Sequence, residues 1–147
     1  MISQTTEYAL RAVVLLARDQ SRAMTVDQIA ADTKVPSGYL AKVMQSLGRS
    51  GLVRSQRGVG GGFTLARPAE ELTLLDVVNA VDPVLRITKC PLEISGHDSR
   101  LCGLHARLDE AIAGIERCLG SCTIASLYAD QSHPIPLCDP NELLRGD

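Results

Sequence analysis

The chain has 147 residues, of which 45% are hydrophobic and 22% charged, and its formal net charge is −2. These values are typical of a globular protein of one domain, or of a small domain with an appendage, and they exclude a low-complexity polymer. The longest apolar runs, such as residues 12–17, are far shorter than the roughly 20 residues that a membrane-spanning helix needs. No signal-peptide pattern is present at the N-terminus, so we expect no membrane association and a cytoplasmic location.

Charge is divided unevenly along the chain. Residues 1–68 contain nine Lys and Arg against four Asp and Glu, whereas residues 69–147 contain six against thirteen. This asymmetry suggests that the first half faces a polyanion. The alternative is an accidental split between two solvated surfaces.

Three helices are predicted in the first 50 residues. Residues 3–18 carry apolar side chains at helical spacing and predict an amphipathic helix. Thr25 and Gln28 have the spacing of a capping box, which predicts the start of a short second helix. After a turn at 35–38, Ser37 is a natural N-cap for a third helix, whose apolar face consists of Leu40, Val43, Met44 and Leu47. Two short helices around a tight turn predict a helix-turn-helix.

A glycine-rich hairpin is predicted directly after the third helix. The arm "LVRSQR" at 52–57 leads into a turn with glycines at 58 and 60–62, and the arm "FTLA" at 63–66 returns. A hairpin at about 52–66 is typical of the wing beside a helix-turn-helix, and Arg54, Arg57 and Arg67 make it basic. A nucleotide-binding loop is excluded because no Gly-Lys-Ser/Thr follows and no helical pattern begins directly after the glycines.

This arrangement predicts which residues meet DNA. The first turns of a recognition helix face base edges, and a glycine-rich basic tip can approach a narrow groove closely. The predicted contacts are Ser37, Tyr39, Lys42 and Gln45 from the third helix, with Arg57, Gly60 and Gly61 from the wing. The alternative is that Tyr39 is half in the core and that Lys42 and Gln45 are merely solvated.

Two further helices are predicted in the acidic half. Thr73, three residues before Asp76, predicts a short helix that ends before Pro83. From Leu104 an apolar stripe at 104, 108, 112, 115 and 119 predicts a helix of about four turns that ends near Gly120. A dimer formed through this helix would present two recognition helices to DNA half-sites about one turn apart. One capped turn follows at 123–130, and the tail at 131–147 is expected to be flexible or draped on the surface.

The cysteines need a separate explanation. Five is an odd number, so a complete set of disulfides within one chain is excluded, and metal binding or redox sensing is favoured in a reducing compartment. The stretch "CPLEISGHDSRLCGLH" at 90–105 concentrates two cysteines and two histidines before the long helix. Cys118 and Cys122 are expected to be small apolar residues of that helix or its end, and Cys138 is isolated in the tail.

The whole pattern resembles a known family, the winged-helix regulators that include the iron-sulfur assembly regulator IscR, the nitric-oxide-sensing repressor NsrR and the cysteine-metabolism repressor CymR. The resemblance covers about residues 1–128 and rests on "EYALRAVVLLA", "VPSGYLAKVMQSLGRSGLVRSQRGVGGGFTLARP" and "TLLDVVNAVD". It implies a mainly α homodimer whose winged helix-turn-helix reads double-stranded DNA. In many members an iron-sulfur cluster lies in a loop before the dimerisation helix. The expected organisation is a DNA-binding domain at 1–82, a sensor loop at 83–103, a dimerisation helix and turn at 104–128 and a tail at 129–147.

The resemblance also implies a ligand set, and this sequence departs from it. Cluster-binding members typically offer three loop cysteines, with a loop histidine or a carboxylate on the first helix of the other subunit as the remaining ligand. Cys90 and Cys102 resemble the first and last of these cysteines, and the sequence has no middle one. The candidate ligands are Cys90, Cys102, His105 or His97, and Glu7 from the other subunit. With so few thiolates a 2Fe–2S cluster is favoured over 4Fe–4S, and histidine ligation would raise its reduction potential.

Other interpretations of the loop remain open. Cys90 and Cys102 could form a reversible disulfide that acts as a thiol switch. Zinc could use the same side chains, although gaps of six, four and two residues do not match the usual paired spacing. The loop could also lack any cofactor, as in members that have lost the cluster, with DNA binding set by a protein partner. A small metal-dependent enzyme is not expected, because the chain shows no nucleophile motif, cofactor loop or convincing general base.

Overall fold

A computed structural model describes residues 2–94 and 100–137. Its elements are α1 (Gln4–Arg18), α2 (Val26–Thr33), α3 (Ser37–Arg49), β1 (Val53–Gln56), β2 (Gly62–Leu65), α4 (Leu74–Val81), α5 (Gly103–Gly120) and α6 (Ile124–Ala129). The predicted mainly α winged helix-turn-helix is confirmed, with β1 and β2 as the wing. Across the described ranges, no helix combines the length and apolar character that a bilayer crossing requires.

The helices of the helix-turn-helix begin and end at local signals, and one of these lies a residue earlier than predicted. At the start of α2 the Thr25 hydroxyl accepts the Gln28 N–H at 3.3 Å, and the Gln28 side-chain oxygen accepts the Thr25 N–H at 2.9 Å. Lys34 then adopts a left-handed φ of 57°, which turns the chain into α3. The prediction that Ser37 is the N-cap was wrong. Pro36 holds that position without a side-chain cap bond, because its ring fixes φ, here −57°, in a range that leads directly into the helix.

A single apolar core fixes the orientation of α3. α1 lies at its centre and packs against α2, α3, α4 and α6. Burial of each large aliphatic side chain contributes roughly 1.5–3 kcal/mol, so the apolar stripe of α3 decides which of its faces remains exposed. The largest fully buried aliphatic side chains are those of Leu16, Ile29, Leu40, Met44, Leu47, Leu72, Ile124, Val13 and Val77.

The wing is joined to the segment between α1 and α2. β1 and β2 are antiparallel, with Arg54 opposite Thr64. Beyond this hairpin, Met24 and Phe63 exchange two backbone hydrogen bonds, of 3.0 and 2.7 Å. Gly62 makes this approach feasible, because its φ is +140° and a Cβ there would lie 2.4 Å from the carbonyl carbon of Met24. The wing therefore has a fixed position relative to the helix-turn-helix.

The second half returns to the first through α4 and α6. Thr73 and Asp76 form the predicted capping box at the start of α4. The N–H of Ile124 donates to the carbonyl of Leu72 at 2.7 Å, which brings α6 back to the core. α5 is longer than predicted, because it begins at Gly103 and its 18 residues make about five turns. Within the chain α5 packs mainly against α4.

Candidate DNA-binding surface and sensor loop

The outer face of α3 carries the predicted DNA contacts. Ser37, Lys42 and Gln45 are exposed there, on the side opposite the buried apolar stripe. Hydroxyl, ammonium and amide groups in this position suit both base edges and phosphates. The structure therefore brings these three residues onto one accessible surface.

Tyr39 occupies a different position from its neighbours on α3. Its ring packs edge-on against Tyr8 of α1, with centroids 5.4 Å apart, and its hydroxyl contacts the Thr5 hydroxyl. The side chain is still 39% exposed. Tyr39 thus stabilises the contact between α1 and α3 while part of its side chain stays exposed.

The wing presents Arg57 and two glycines of different character. Arg57 and Gly60 are exposed at the tip. Gly61 is required by the turn itself, since a Cβ there would lie 2.5 Å from the carbonyl oxygen of Gln56. Arg54 is anchored across the hairpin, where its Nε lies 3.3 Å from the Thr64 hydroxyl. Of the predicted wing residues, Arg57 is therefore the cation most free to meet a phosphate.

Two other arginines differ from the sequence interpretation. Arg67, assigned to the basic wing, lies 3.3 Å from the Asp76 carboxylate and so is attached to the start of α4. Arg22, which no local pattern selected, lines a polar groove with Gly58 and Gly60 between the α1–α2 segment and the wing tip. Only the folded chain brings Arg22 to the wing, because some 36 residues separate them in sequence.

Glu7 lies on α1, where it is already paired. The Arg11 guanidinium donates to its carboxylate through two nitrogens, one of them Nε at 2.9 Å. The remaining nitrogen of Arg11 donates to the carbonyl of Thr33, the last residue of α2, at 3.2 Å. The same guanidinium lies 5.7 Å from the Tyr8 ring centroid. Glu7 is therefore connected through Arg11 to the turn of the helix-turn-helix.

In the loop region, the structure brings two of the candidate ligands together. Cys102 is the N-cap residue of α5, and its Sγ lies 3.2 Å from Nδ1 of His105 in the first turn. Cys90 is only 8% exposed. Its carbonyl accepts the N–H of Glu93 at 3.2 Å. His97 and Cys138 lie outside the described residues. Among the residues that the structure describes, no three Cys, His, Asp or Glu side chains converge as metal ligands.

An ion-pair network holds the segment that leads into this loop. Hydrogen bonds from Arg86 lower the pKa of Asp109 below its usual value of 3.8, and the two carboxylates beside Arg86 raise the pKa of its guanidinium. No motif in the sequence singles out either residue. They are 23 positions apart, so no local pattern could have paired them.

One face of α5 is apolar and open to solvent. Leu104, Leu108 and Ile115 are 65%, 47% and 49% exposed. This face continues into a groove of about 420 Å³, lined among others by Ile2, Val84 and Cys118. Exposed aliphatic side chains at helical spacing on one face are typical of a helix that packs against a further surface.

Comparisons with known proteins give consistent results. The chain matches the sequence model of the Rrf2 family, described as an iron-dependent transcriptional regulator, over residues 2–130. It is 30% identical to an HTH-type transcriptional regulator of Aquifex aeolicus over 141 residues, which cover 93% of this chain and 98% of that protein. It is 30% identical to the HTH-type transcriptional regulator NsrR of Geobacillus kaustophilus, with 89% and 91% covered. Its fold is similar to that of T. potens IscR, with a TM-score of 0.75, 20% identity and coverage of 97% and 96%.

Proposed function

Because this chain belongs to the Rrf2 family of transcriptional regulators, we propose that it acts as a homodimer whose DNA binding responds to an iron-sulfur cluster in the loop before α5. The signal would be redox state, nitric oxide or iron-sulfur status, and a 2Fe–2S cluster is favoured. The contact between Cys102 and His105 is the observation that carries this proposal, since it places a thiol and an imidazole side by side at the end of the loop. The earlier resemblance to this family is confirmed.

DNA binding is the better supported half of the proposal. The exposed face of α3 bears Lys42 and Gln45, and the docked wing bears Arg57. The first half of the chain also carries the excess of basic residues that a polyanion attracts. In this proposal α3 enters the major groove, and the wing contacts the adjacent backbone or minor groove.

A dimer is supported by the exposed apolar face of α5. Leu104, Leu108 and Ile115 would be buried by the same face of a second copy. Replacing Leu108 by Lys would place a charge in that interface, so the variant should sediment as a monomer at concentrations where the parent chain is a dimer. Arg107→Lys on the same helix is the matched control, and a variant that remains dimeric would contradict this interface.

The donor set suits a cluster with mixed ligation. Cys90, Cys102 and His105 would serve from one protomer, with His97 as the alternative histidine, and Glu7 from the second copy. Two thiolates, an imidazole and a carboxylate match the number of protein ligands that a 2Fe–2S cluster takes, and such a cluster when bound supplies a reversible one-electron change.

A change at Glu7 would reach the DNA-binding surface through Arg11. If Glu7 serves as a ligand in the dimer, its carboxylate gives up part of its pairing with Arg11. Arg11 also holds the carbonyl of Thr33 at the end of α2, directly before the turn into α3. Two arrangements of this arginine would then correspond to two DNA affinities, which is the condition for ligand-controlled binding.

The test compares DNA affinity with and without the cofactor. Duplexes selected from a random library by each form would be titrated by fluorescence anisotropy over a range of salt concentrations, because phosphate contacts give a linear salt dependence. The proposal expects a salt slope for both forms and an affinity difference that disappears in Cys102→Ala. If the DNA affinity of the metal-free protein changes when its thiols are oxidised, the result would instead favour a thiol switch. The absence of DNA binding in every form would overturn the proposal.

A further inference from the structure

The segment between α4 and α5 starts beside the C-terminal half of α5. The N–H of Val84 donates to the side-chain oxygen of Asn79 at 3.0 Å, which fixes the segment to the end of α4. Pro83 and Val84 line the same groove as Ile112 and Leu119. The first residues of the segment therefore lie beside the C-terminal half of α5.

Arg86 then attaches the segment to two positions on α5 that lie about two helical turns apart. Its Nε and Nη2 donate to the two carboxylate oxygens of Asp109 at 2.7 and 2.6 Å, and its Nη1 donates to Glu116 at 3.2 Å. The backbone N–H of Ile87 also donates to Asp109, at 2.9 Å. A guanidinium that donates in two parallel bonds fixes orientation as well as distance. Four hydrogen bonds thus hold two consecutive residues on the flank of α5.

These contacts give the direction of the chain. Residues 83 and 84 lie beside residues 112–119, and Ile87 lies at Asp109, so the segment runs antiparallel to α5 and towards its N-terminus. From Ile87 to Cys90 an extended chain covers about 10 Å. The helix from Asp109 back to Cys102 is also about 10 Å long. Cys90 should therefore reach the level of Cys102, and its low exposure between the exposed residues Lys89 and Pro91 shows that its side chain turns inward.

We propose that Arg86, Asp109 and Glu116 form a positioning clamp that holds the segment carrying Cys90 along α5, so that Cys90 lies at the level of Cys102 before any cofactor binds. This clamp rests on the proposed function, because the proposed function is what assigns Cys90 and Cys102 to a common site. Arg86 acts through the backbone of the segment and is not itself a ligand. The consequence of the clamp is that the segment carrying Cys90 is preorganised in the metal-free protein. Cofactor binding then has to order only the final approach of Cys90 to Cys102 and His105, which do not yet converge with it as metal ligands.

Thiol chemistry in the metal-free protein tests the clamp. Cys118, Cys122 and Cys138 would be replaced by Ser. The rate at which iodoacetamide alkylates Cys90 would then be measured by peptide mass spectrometry. Asp109→Ala should raise the rate at Cys90 by at least about tenfold, because loss of charged hydrogen bonds opens the segment locally. Glu110→Ala is the matched control: it removes the exposed Arg107–Glu110 pair from the neighbouring position of α5 and should leave the rate unchanged.

Two more measurements make the result decisive. A short thiol-to-thiol cross-linker should join Cys90 to Cys102 in the protein with an intact clamp, and its failure to do so would overturn the proposal. Arg86→Lys keeps one ion pair and should give an alkylation rate between those of the intact clamp and Arg86→Leu. If Asp109→Ala fails to fold, the milder variants Arg86→Lys and Glu116→Gln replace it in the test. An unchanged alkylation rate of Cys90 in both of them would overturn the clamp. Cluster loading is measured separately, so a chain that takes up no iron would contradict the proposed sensor while leaving these thiol results intact.

Discussion

Replacement of Gly62 by Ala tests how the wing is attached to the helix-turn-helix. A Cβ at this position would lie 2.4 and 2.5 Å from the carbonyl carbon and oxygen of Met24, and 2.8 Å from the Thr25 nitrogen. All three are backbone atoms, so no side-chain rotation can relieve the contact. The wing must move, and the two hydrogen bonds between Met24 and Phe63 must break or lengthen.

The expected loss in the free energy of unfolding is the sum of the hydrogen bonds and the backbone strain. Two backbone hydrogen bonds contribute roughly 0.5–1.5 kcal/mol each, and a non-glycine residue at this φ costs roughly 1–3 kcal/mol, which together give about 2–6 kcal/mol. Gly60→Ala is the matched control, because Gly60 also has positive φ, +73°, but an added Cβ would meet nothing within 4 Å. That variant should lose only about 1–2 kcal/mol from backbone strain. The measurement is urea unfolding at one fixed protein concentration. Equal free energies of unfolding for the two variants would refute the account of wing attachment.

Three further predictions concern DNA binding, helix capping and pH. Lys42→Ala should weaken duplex binding about tenfold and lower the salt slope by about 0.9, as expected for loss of one phosphate contact; Arg107→Ala, exposed on α5, is the control, and an unchanged slope for Lys42→Ala would exclude this contact. Thr73→Ala should lower the free energy of unfolding by about 1 kcal/mol, because its hydroxyl caps α4 at 3.1 Å, and thermal unfolding checks it. Hydrogen bonds from Arg86 depress the pKa of Asp109, so its stabilisation is present above about pH 4 and is lost as the pH falls through the folded pKa. The stability difference from Asp109→Asn should therefore shrink in unfolding curves below that pH, and a difference that grows there would contradict the assignment.

Local signals in the sequence predicted the parts of the fold that depend on a few neighbouring residues. Thr25 and Thr73 cap their helices as their spacing indicated, because a capping box involves residues only three positions apart. The contact between Cys102 and His105 belongs to the same class, since residues three apart at a helix start lie on one side of it. Ser37 was the exception, because the ring of Pro36 starts the helix one residue earlier than a hydroxyl cap would.

Contacts between distant positions could not be predicted in this way. Gly62 can approach Met24 closely only because it has no side chain. The sequence does not single out this position, because the turn contains several other glycines. The pairing of Arg86 with Asp109 across the loop has no periodicity to reveal it. These contacts follow from packing of the complete chain, and they determine where the wing and the cysteine-bearing segment lie.

The central claim is that an iron-sulfur cluster bound through Cys90 and Cys102 controls DNA binding. Its most direct test is the visible absorption spectrum of protein purified without oxygen, with iron and sulfide counted on the same sample. The account predicts charge-transfer bands with matched iron and sulfide that are lost in Cys102→Ala and retained in Cys118→Ala, a cysteine exposed elsewhere on α5. A colourless protein that remains free of iron after cluster reconstitution would contradict the claim, leaving a regulator controlled by thiol oxidation, zinc or a protein partner.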